Sequence, residues 1–295
     1  MTGAERGFLL LTGQLGNPKE KPFTTAQFRE LAKLARALKL DDPNRDLRMQ
    51  DLEYIGINQT HAGRILHLLD REAQLDIYLQ EGRKQGCYPI TWVTPGYPPV
   101  LKARLGQERP CLWAKGDMTL LEKPAIALVG SRKLGVLNEA FAAEAGRQAA
   151  LQGFVLVSGN AVGADTTAQN ACLEYGGQVI SVVADRLDQK EPHKNILYLS
   201  EDGYELGFTA HRALHRNRVI HALPKLTLVA QCTFGKGGTW DGTVNNLKKR
   251  WSPVFCLDDG SEGAQALIAK GAEPMEGSDL VNLSQLRYLI PLIGY

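Results

Sequence analysis

The chain has 295 residues, 44% hydrophobic and 22% charged, with a formal net charge of +2. That balance supports a folded core and excludes a disordered or uniformly cationic protein. The apolar stretch from Phe8 to Leu11 is far too short to span a bilayer and lacks the flanks of a signal peptide, so the chain reads as soluble and cytoplasmic. Five scattered cysteines (Cys87, Cys111, Cys172, Cys232 and Cys256) are never spaced C-x-x-C, which points to buried thiols rather than a disulfide framework or zinc knuckle.

In chain order, the first eighty or so residues read as helices. Thr24-Thr25 offers an N-cap to AQFRELAKLARAL, where Phe28, Leu31, Leu34, Ala35 and Leu38 recur at helical spacing. DLEYIGINQTHAGRILHLLDR predicts a short helix, a Gly-containing turn and a second helix, with Leu66 and Leu69 marking its apolar face and Arg64, His67 and Arg71 elsewhere. Residues 1–85 thus form an expected helical domain of helix-hairpin-helix or SAM-like kind, a pattern that helical packing alone also explains. From 86 to 123, Pro89, Pro95, Pro98, Pro99 and Pro110 punctuate short apolar runs and predict an extended connector.

Beyond it, strands alternate with helices. AIALV, FVLVS, QVISVVA, LTLVA and PVFCL read as strands, and NEAFAAEAGRQAALQ, TTAQNACLEYG, TVNNLKKR and EGAQALIAKG as helices. Continuous apolar strands imply an α/β fold, a doubly wound and mostly parallel Rossmann-like sheet over 124–275, preceded by the small helical domain. A tail, 276–295, completes the expected organisation. Charge is uneven along it: residues 207–251 carry eight Lys/Arg against one acid, while 124–206 carry six against ten and the residues after Trp251 two against six. Such a block suggests a localised anion-binding face.

In such a sheet, ligands sit beyond the carboxyl ends of the strands, where three clusters fall. Gly130-Ser131-Arg132 follows AIALV; its amides suit a phosphate and Arg132 a bidentate clamp, though a plain turn with a solvated arginine fits equally. Ser158 to Asp165, SGNAVGAD, follows FVLVS; Gly159 and Gly163 flank a loop that is either a phosphate or ribose cradle or a simple turn, with Asp165 as cap or ribose contact. HRALHRNRVIHAL places Arg212, Arg216, Arg218, His211, His215 and His221 within twelve residues, a density suited to phosphodiesters; the histidines lack the partners of a metal site. In GKGGTWDGT, Gly235, Gly237 and Gly238 form an expected loop ahead of a helix, Thr239 and Thr243 offer hydroxyls, and Trp240 reads as packing more than base stacking. No G-x-G-x-x-G, Walker lysine, G-x-S-x-G or H-E-x-x-H is present, so no cofactor, metal or covalent catalysis is expected.

Together and in this order, these clusters resemble the DNA-processing A (Smf) family. YPPVLKARLGQERPCLWAKGDMTLL is similar to its lead-in, followed by VGSR, SGNAVGAD, Pro192 to Asn195, RNRVI and GGTWDGT, so that the likeness runs from about Gly96 to Ala272. The resemblance implies a Rossmann-like domain that binds single-stranded DNA, protects it and helps load the RecA recombinase in natural transformation, acting as a homodimer and not as an enzyme. It implies phosphate contacts from Arg132, Arg216, Arg218 and Lys236, in a pocket shaped by Gly130, Ser131, Ser158, Gly159, Gly163, Asp165, Asn217, Gly237, Gly238 and Thr239. Val162 stands where the family carries arginine, and GGTWDGT is also similar to a loop of the lysine-decarboxylase-like nucleotide hydrolases. The 23 residues after Ala272 are too few for a winged helix, so none is expected. Two other readings stay open: a nucleotide or nucleotide-sugar sensor or hydrolase using Asp165 and Asp241, and a protein-docking scaffold.

Overall fold

The computed structural model describes residues 1–37 and 47–286. Leu38, the last apolar position of the helix expected over AQFRELAKLARAL, lies outside them, as does the end of the 276–295 tail.

The described chain opens with helices α1 (Gly3–Thr12), α2 (Thr25–Ala37), α3 (Met49–Tyr54), α4 (Gln59–Leu69) and α5 (Glu72–Lys84). A reciprocal cap starts α1: the Thr2 hydroxyl accepts from Glu5 N at 3.3 Å while the Glu5 carboxylate accepts from Thr2 N at 2.6 Å. Thr24 caps α2 by accepting from Gln27 N at 3.2 Å. Gly56, at φ +84°, turns the chain between α3 and α4, where Asn58 accepts from His61 N at 2.9 Å. The buried stripe of α4 is Ala62, Ile65 and Leu68 rather than the expected Leu66 and Leu69, which flank it. That stripe packs with Leu11, Phe23 and Leu52 across the helical layer, with Leu66 and Leu69 partly buried at its margin. Arg71 is also buried, its guanidinium donating to the Leu10 and Gly13 carbonyls.

The stretch expected as a connector supplies β1 (Cys87–Ile90), α6 (Pro99–Leu105) and β2 (Leu112–Lys115). Then come β3 (Ala125–Val129), α7 (Val136–Leu151), β4 (Val155–Ser158), α8 (Ala164–Glu174), β5 (Gln178–Val183) and β6 (Ile196–Glu201). The chain continues through α9 (Ala210–His215), α10 (Asn217–Ala222), β7 (Thr227–Val229), α11 (Gly237–Lys249), β8 (Val254–Leu257), α12 (Glu262–Ala269) and β9 (Glu273–Met275). The strands form one sheet in the order β1-β2-β6-β5-β4-β3-β7-β8-β9. It is parallel from β6 to β9, while β2 pairs antiparallel with both β1 and β6. Pro89 is tolerated in β1 because that strand lies at the sheet's edge.

This is the doubly wound α/β architecture that the alternating pattern implies. In β3, Ala125, Ala127 and Val129 face the layer holding Leu101, Ile220 and Trp240, while Ile126 and Leu128 face Phe141, Ala145 and Ala168 of α7 and α8. Burial on both faces explains the unbroken apolar run. The N-terminal helices pack on the antiparallel side, where Tyr78 stacks on Tyr204 at 4.6 Å and meets Trp113 edge-on at 5.4 Å. All five cysteines are free and buried, and burial pushes the Cys87 thiol up to about 11. Among the described residues no helix is long and apolar enough to cross a membrane.

Helices α7 and α8 approach closely at Gly146, where a Cβ would stand 2.1 Å from the Ala168 carbonyl oxygen. Gly146→Ala therefore forces the helices apart despite alanine's better helix propensity. The expected cost is roughly 1–3 kcal/mol, read as a lower midpoint in urea unfolding; an unchanged midpoint would contradict this packing.

Candidate functional site

The strand order reverses between β3 and β7: the chain winds outward from β3 through β4, β5 and β6, then returns to β7, β8 and β9. Loops leaving two adjacent strands in opposite directions open a crevice at their carboxyl ends. Here it is a cavity of about 620 Å³ floored and walled by residues after β3 and β7, the start of α8, the α9–α10 segment and the first turn of α11.

A chain of hydrogen bonds joins these segments. Ser131 N donates to the Gln231 carbonyl at 3.0 Å, tying the β3 loop to the β7 loop. The Thr239 hydroxyl donates to the Gly130 carbonyl at 2.8 Å, and the Asn217 amide donates to the Gly238 carbonyl at 3.0 Å. Asn217 in turn accepts from Arg216 Nη1 at 2.8 Å, while Arg216 Nη2 donates to the Gly159 carbonyl at 3.0 Å. The Asp165 carboxylate closes the series by accepting from Gly159 N at 3.0 Å and Ala161 N at 3.2 Å. Asp165 is thus not the cap of its own helix; it holds the preceding loop.

Glycines are required where the segments touch. A Cβ on Gly159 would fall 2.0 Å from Arg216 Nη1, so the guanidinium lies directly on that backbone. Gly163, at φ +93°, passes so close that a Cβ would stand 2.5 Å from the Ser131 carbonyl oxygen and 2.6 Å from that of Arg132. Burial lowers the pKa of Arg216 and raises that of Asp165, and the charge of each opposes the shift of the other.

Of the residues expected at the site, Gly130, Ser131, Arg132, Asp165, Arg216, Asn217, Lys236, Gly237, Gly238 and Thr239 line the main cavity. Gly159 lines an adjoining cavity of about 220 Å³, which shares Arg132 and Arg216 with the first. Ser158 lies beneath, fully buried, its hydroxyl accepting from the Gln169 side chain. Gly163 serves the loop junction just described.

Arg218 is not brought into the cavity. It pairs with the buried Glu201 at 2.7 Å and donates to the Glu108 carbonyl. Burial disfavours the charged form of Glu201, but the bond from His215 and the Arg218 charge outweigh it and hold its pKa below the usual value. Arg212 is likewise spent on the Ala184, Leu206 and Gly207 carbonyls at 2.7, 2.8 and 2.9 Å. The cations left exposed around the cavity are Arg132, Lys133 and Lys236.

Two expectations about GKGGTWDGT change, for its glycines and for Asp241, while Trp240 packs as expected. Gly237 and Gly238 are the first residues of α11 rather than a loop before it, so their amides belong to the unpaired first turn of a helix. Trp240 is buried and packs edge-on against Phe234 at 5.1 Å. Asp241 faces a different cavity, with Glu108, Arg218 and Lys249, and does not converge with Asp165.

Phe208, Gln231 and His221 also line the cavity. Gln231 was detectable as the residue just past β7; Phe208 carried no sequence signal. His221 is 1% exposed, apart from His211 and His215, whose rings stack at 5.5 Å.

A family model described as DNA recombination-mediator protein A matches residues 89–284. The chain belongs to this family. It is 32% identical over 182 residues to the DNA processing protein DprA of Streptococcus pneumoniae, an alignment covering 55% of this chain and 62% of that protein. The X-ray structure of DprA from Streptococcus pneumoniae superposes with a TM-score of 0.72 over 98% of this chain and 99% of that one, at 22% identity, which shows a shared fold. A Helicobacter pylori DNA processing protein A, whose structure concerns its single-stranded DNA binding mode, matches with a TM-score of 0.56 and 25% identity over 66% of this chain and 94% of that one. The recombination-mediator match begins at Pro89, inside β1, and ends at Ser284, extending at both ends the resemblance read from about Gly96 to Ala272.

Burial, with the Arg216 charge adding to it, lowers the His221 pKa to about 3. The unfolded chain takes up this proton below about pH 6.5 and the folded chain does not, so stability is lost as pH falls through that window. Between pH 7.5 and 5, His221 costs about 2 kcal/mol that the variants His221→Asn and His221→Gln do not lose. Urea unfolding at both pH values checks this; parallel losses in wild type and variants would refute it.

Proposed function

We propose that this protein holds single-stranded DNA in the switch-point cavity as a non-catalytic recombination mediator. The observation that carries the reading is a cavity whose rim cations, Arg132, Lys133 and Lys236, are exposed while the buried charges beneath them are bonded to protein. Backbone amides at Gly237 and Gly238, in the first turn of α11, add donors without charge. Arg132, Lys133 and Lys236 contact phosphates; Ser131 and Thr239 shape the rim; Arg216 and Asp165 position the loops rather than touch DNA. Contacts of this kind give affinity without sequence preference.

Family membership supports the reading, as does the Helicobacter pylori relative, described as binding single-stranded DNA. From the same resemblance come the remaining parts: action as a homodimer in the cytoplasm and delivery of the strand to RecA during transformation. A free nucleotide is the second reading, favoured by a volume of about 620 Å³ that falls in the small-ligand range. A mononucleotide that raises the melting temperature without any strand binding would select it.

Fluorescence anisotropy with labelled oligo-dT and a matching duplex, over a salt series, tests the mediator reading. Wild type should bind the single strand, more weakly as salt rises. Arg132→Ala should lose about tenfold in affinity and reduce the slope of log affinity against log salt by about 0.7, the share of one single-strand phosphate. No strand binding at low salt would refute the proposal.

A further inference from the structure

The floor of the cavity differs in chemistry from its rim. The Asn246 carboxamide is fixed in orientation, because its oxygen accepts from the Ser252 backbone N–H at 2.9 Å. Its nitrogen must therefore be the atom that faces His221 Nδ1 at 3.2 Å. Nδ1 is then an acceptor, and the ring proton sits on Nε2. Among the described residues, Nε2 has no hydrogen-bond partner, and it is not sealed among the buried unsatisfied atoms.

A second donor group lines the same cavity. Asn217 Nδ2 gives one proton to the Gly238 carbonyl and keeps another. Gly242 packs beside both groups: a Cβ there would stand 3.0 Å from His221 Nε2 and 3.2 Å from Asn217 Nδ2. Glycine at this position, inside α11, leaves both donors without a side chain packed against them from this helix.

We propose that His221 is a binding residue whose Nε2–H, together with Asn217 Nδ2, donates to a neutral or anionic acceptor oxygen of the strand at the cavity floor. This rests on the reading of the cavity as a single-strand site. A base carbonyl and a phosphodiester oxygen both supply such an acceptor. The contrast between an exposed cationic rim and the uncharged donors of His221 and Asn217 gives the pocket two recognition layers, one for phosphate and one for a hydrogen-bond acceptor.

Isosteric variants separate this role from packing. In His221→Asn the side-chain oxygen can replace Nδ1 as acceptor from Asn246, but no donor reaches the Nε2 position. In His221→Gln the amide nitrogen can take the Nε2 position. Gly242→Ala removes no group and favours the helix, yet sets a methyl group against both donors. Oligo-dT binding should weaken about fivefold in His221→Asn and in Gly242→Ala, and stay near wild type in His221→Gln. A two-dimensional ¹H–¹⁵N spectrum of the imidazole nitrogens should show the Nε2-protonated form in the free protein, with the Nε2 signal moving on addition of oligo-dT. An abasic strand of equal length identifies the acceptor: equal binding by wild type and His221→Asn assigns it to a base, and a loss of the same size assigns it to phosphate. Wild-type binding with unchanged affinity in all three variants and a still Nε2 signal would overturn this inference alone. Failure of wild type to bind oligo-dT would overturn it together with the proposed function.

Discussion

The site depends on one buried guanidinium. Arg216 lies against the Gly159 backbone, bonded to its carbonyl and to the Asn217 side chain, with the Asp165 carboxylate holding the same loop from the other side. Removing such a group would leave a buried acceptor and a buried carboxylate without compensation, which costs more than the bond itself contributes. Arg216 also breaks the helical segment into α9 and α10, so the turn that presents Asn217 to α11 and the bond that fixes the β4 loop share one residue.

This arrangement changes the meaning of the basic block. Eight Lys/Arg within 207–251 suggest a face built wholly for anions. Yet Arg212, Arg216 and Arg218 are all consumed internally, by carbonyls and by Glu201. Arginine suits that work because its planar fork satisfies several carbonyls at once while remaining charged. The positive potential still reaches the surface, but through Arg132, Lys133 and Lys236, two of which lie outside the block.

The parts of the fold that the sequence reveals are those buried on both faces. Strands β3, β4, β5, β7 and β8 read directly because neighbours on either side make every residue apolar. Strand β6 ends in Ser200 and Glu201, polar residues buried only because Arg212, Arg218 and His215 come to meet them from afar in the chain. Strands β1 and β2 are four residues each, one containing Pro89, and their pairing at the antiparallel edge leaves little periodic signal. At the site, glycine-rich turns after strands located the loops correctly. They could not tell that Arg218 has a carboxylate waiting for it, because Glu201 contributes nothing recognisable to the local pattern.

Gly163 has a consequence for how this protein can change over time. Its backbone passes so near the Ser131 and Arg132 carbonyls that the β3 and β4 loops are fitted to each other atom against atom. Neither loop can drift alone: a substitution that reshapes one is tolerated only alongside a matching change in the other, so their effects will not add. Variation in ligand preference is thus channelled toward the rim side chains Arg132 and Val162, which project from the interlocked backbones without supporting them. The loops form a fixed frame, and the residues mounted on it are free to diversify.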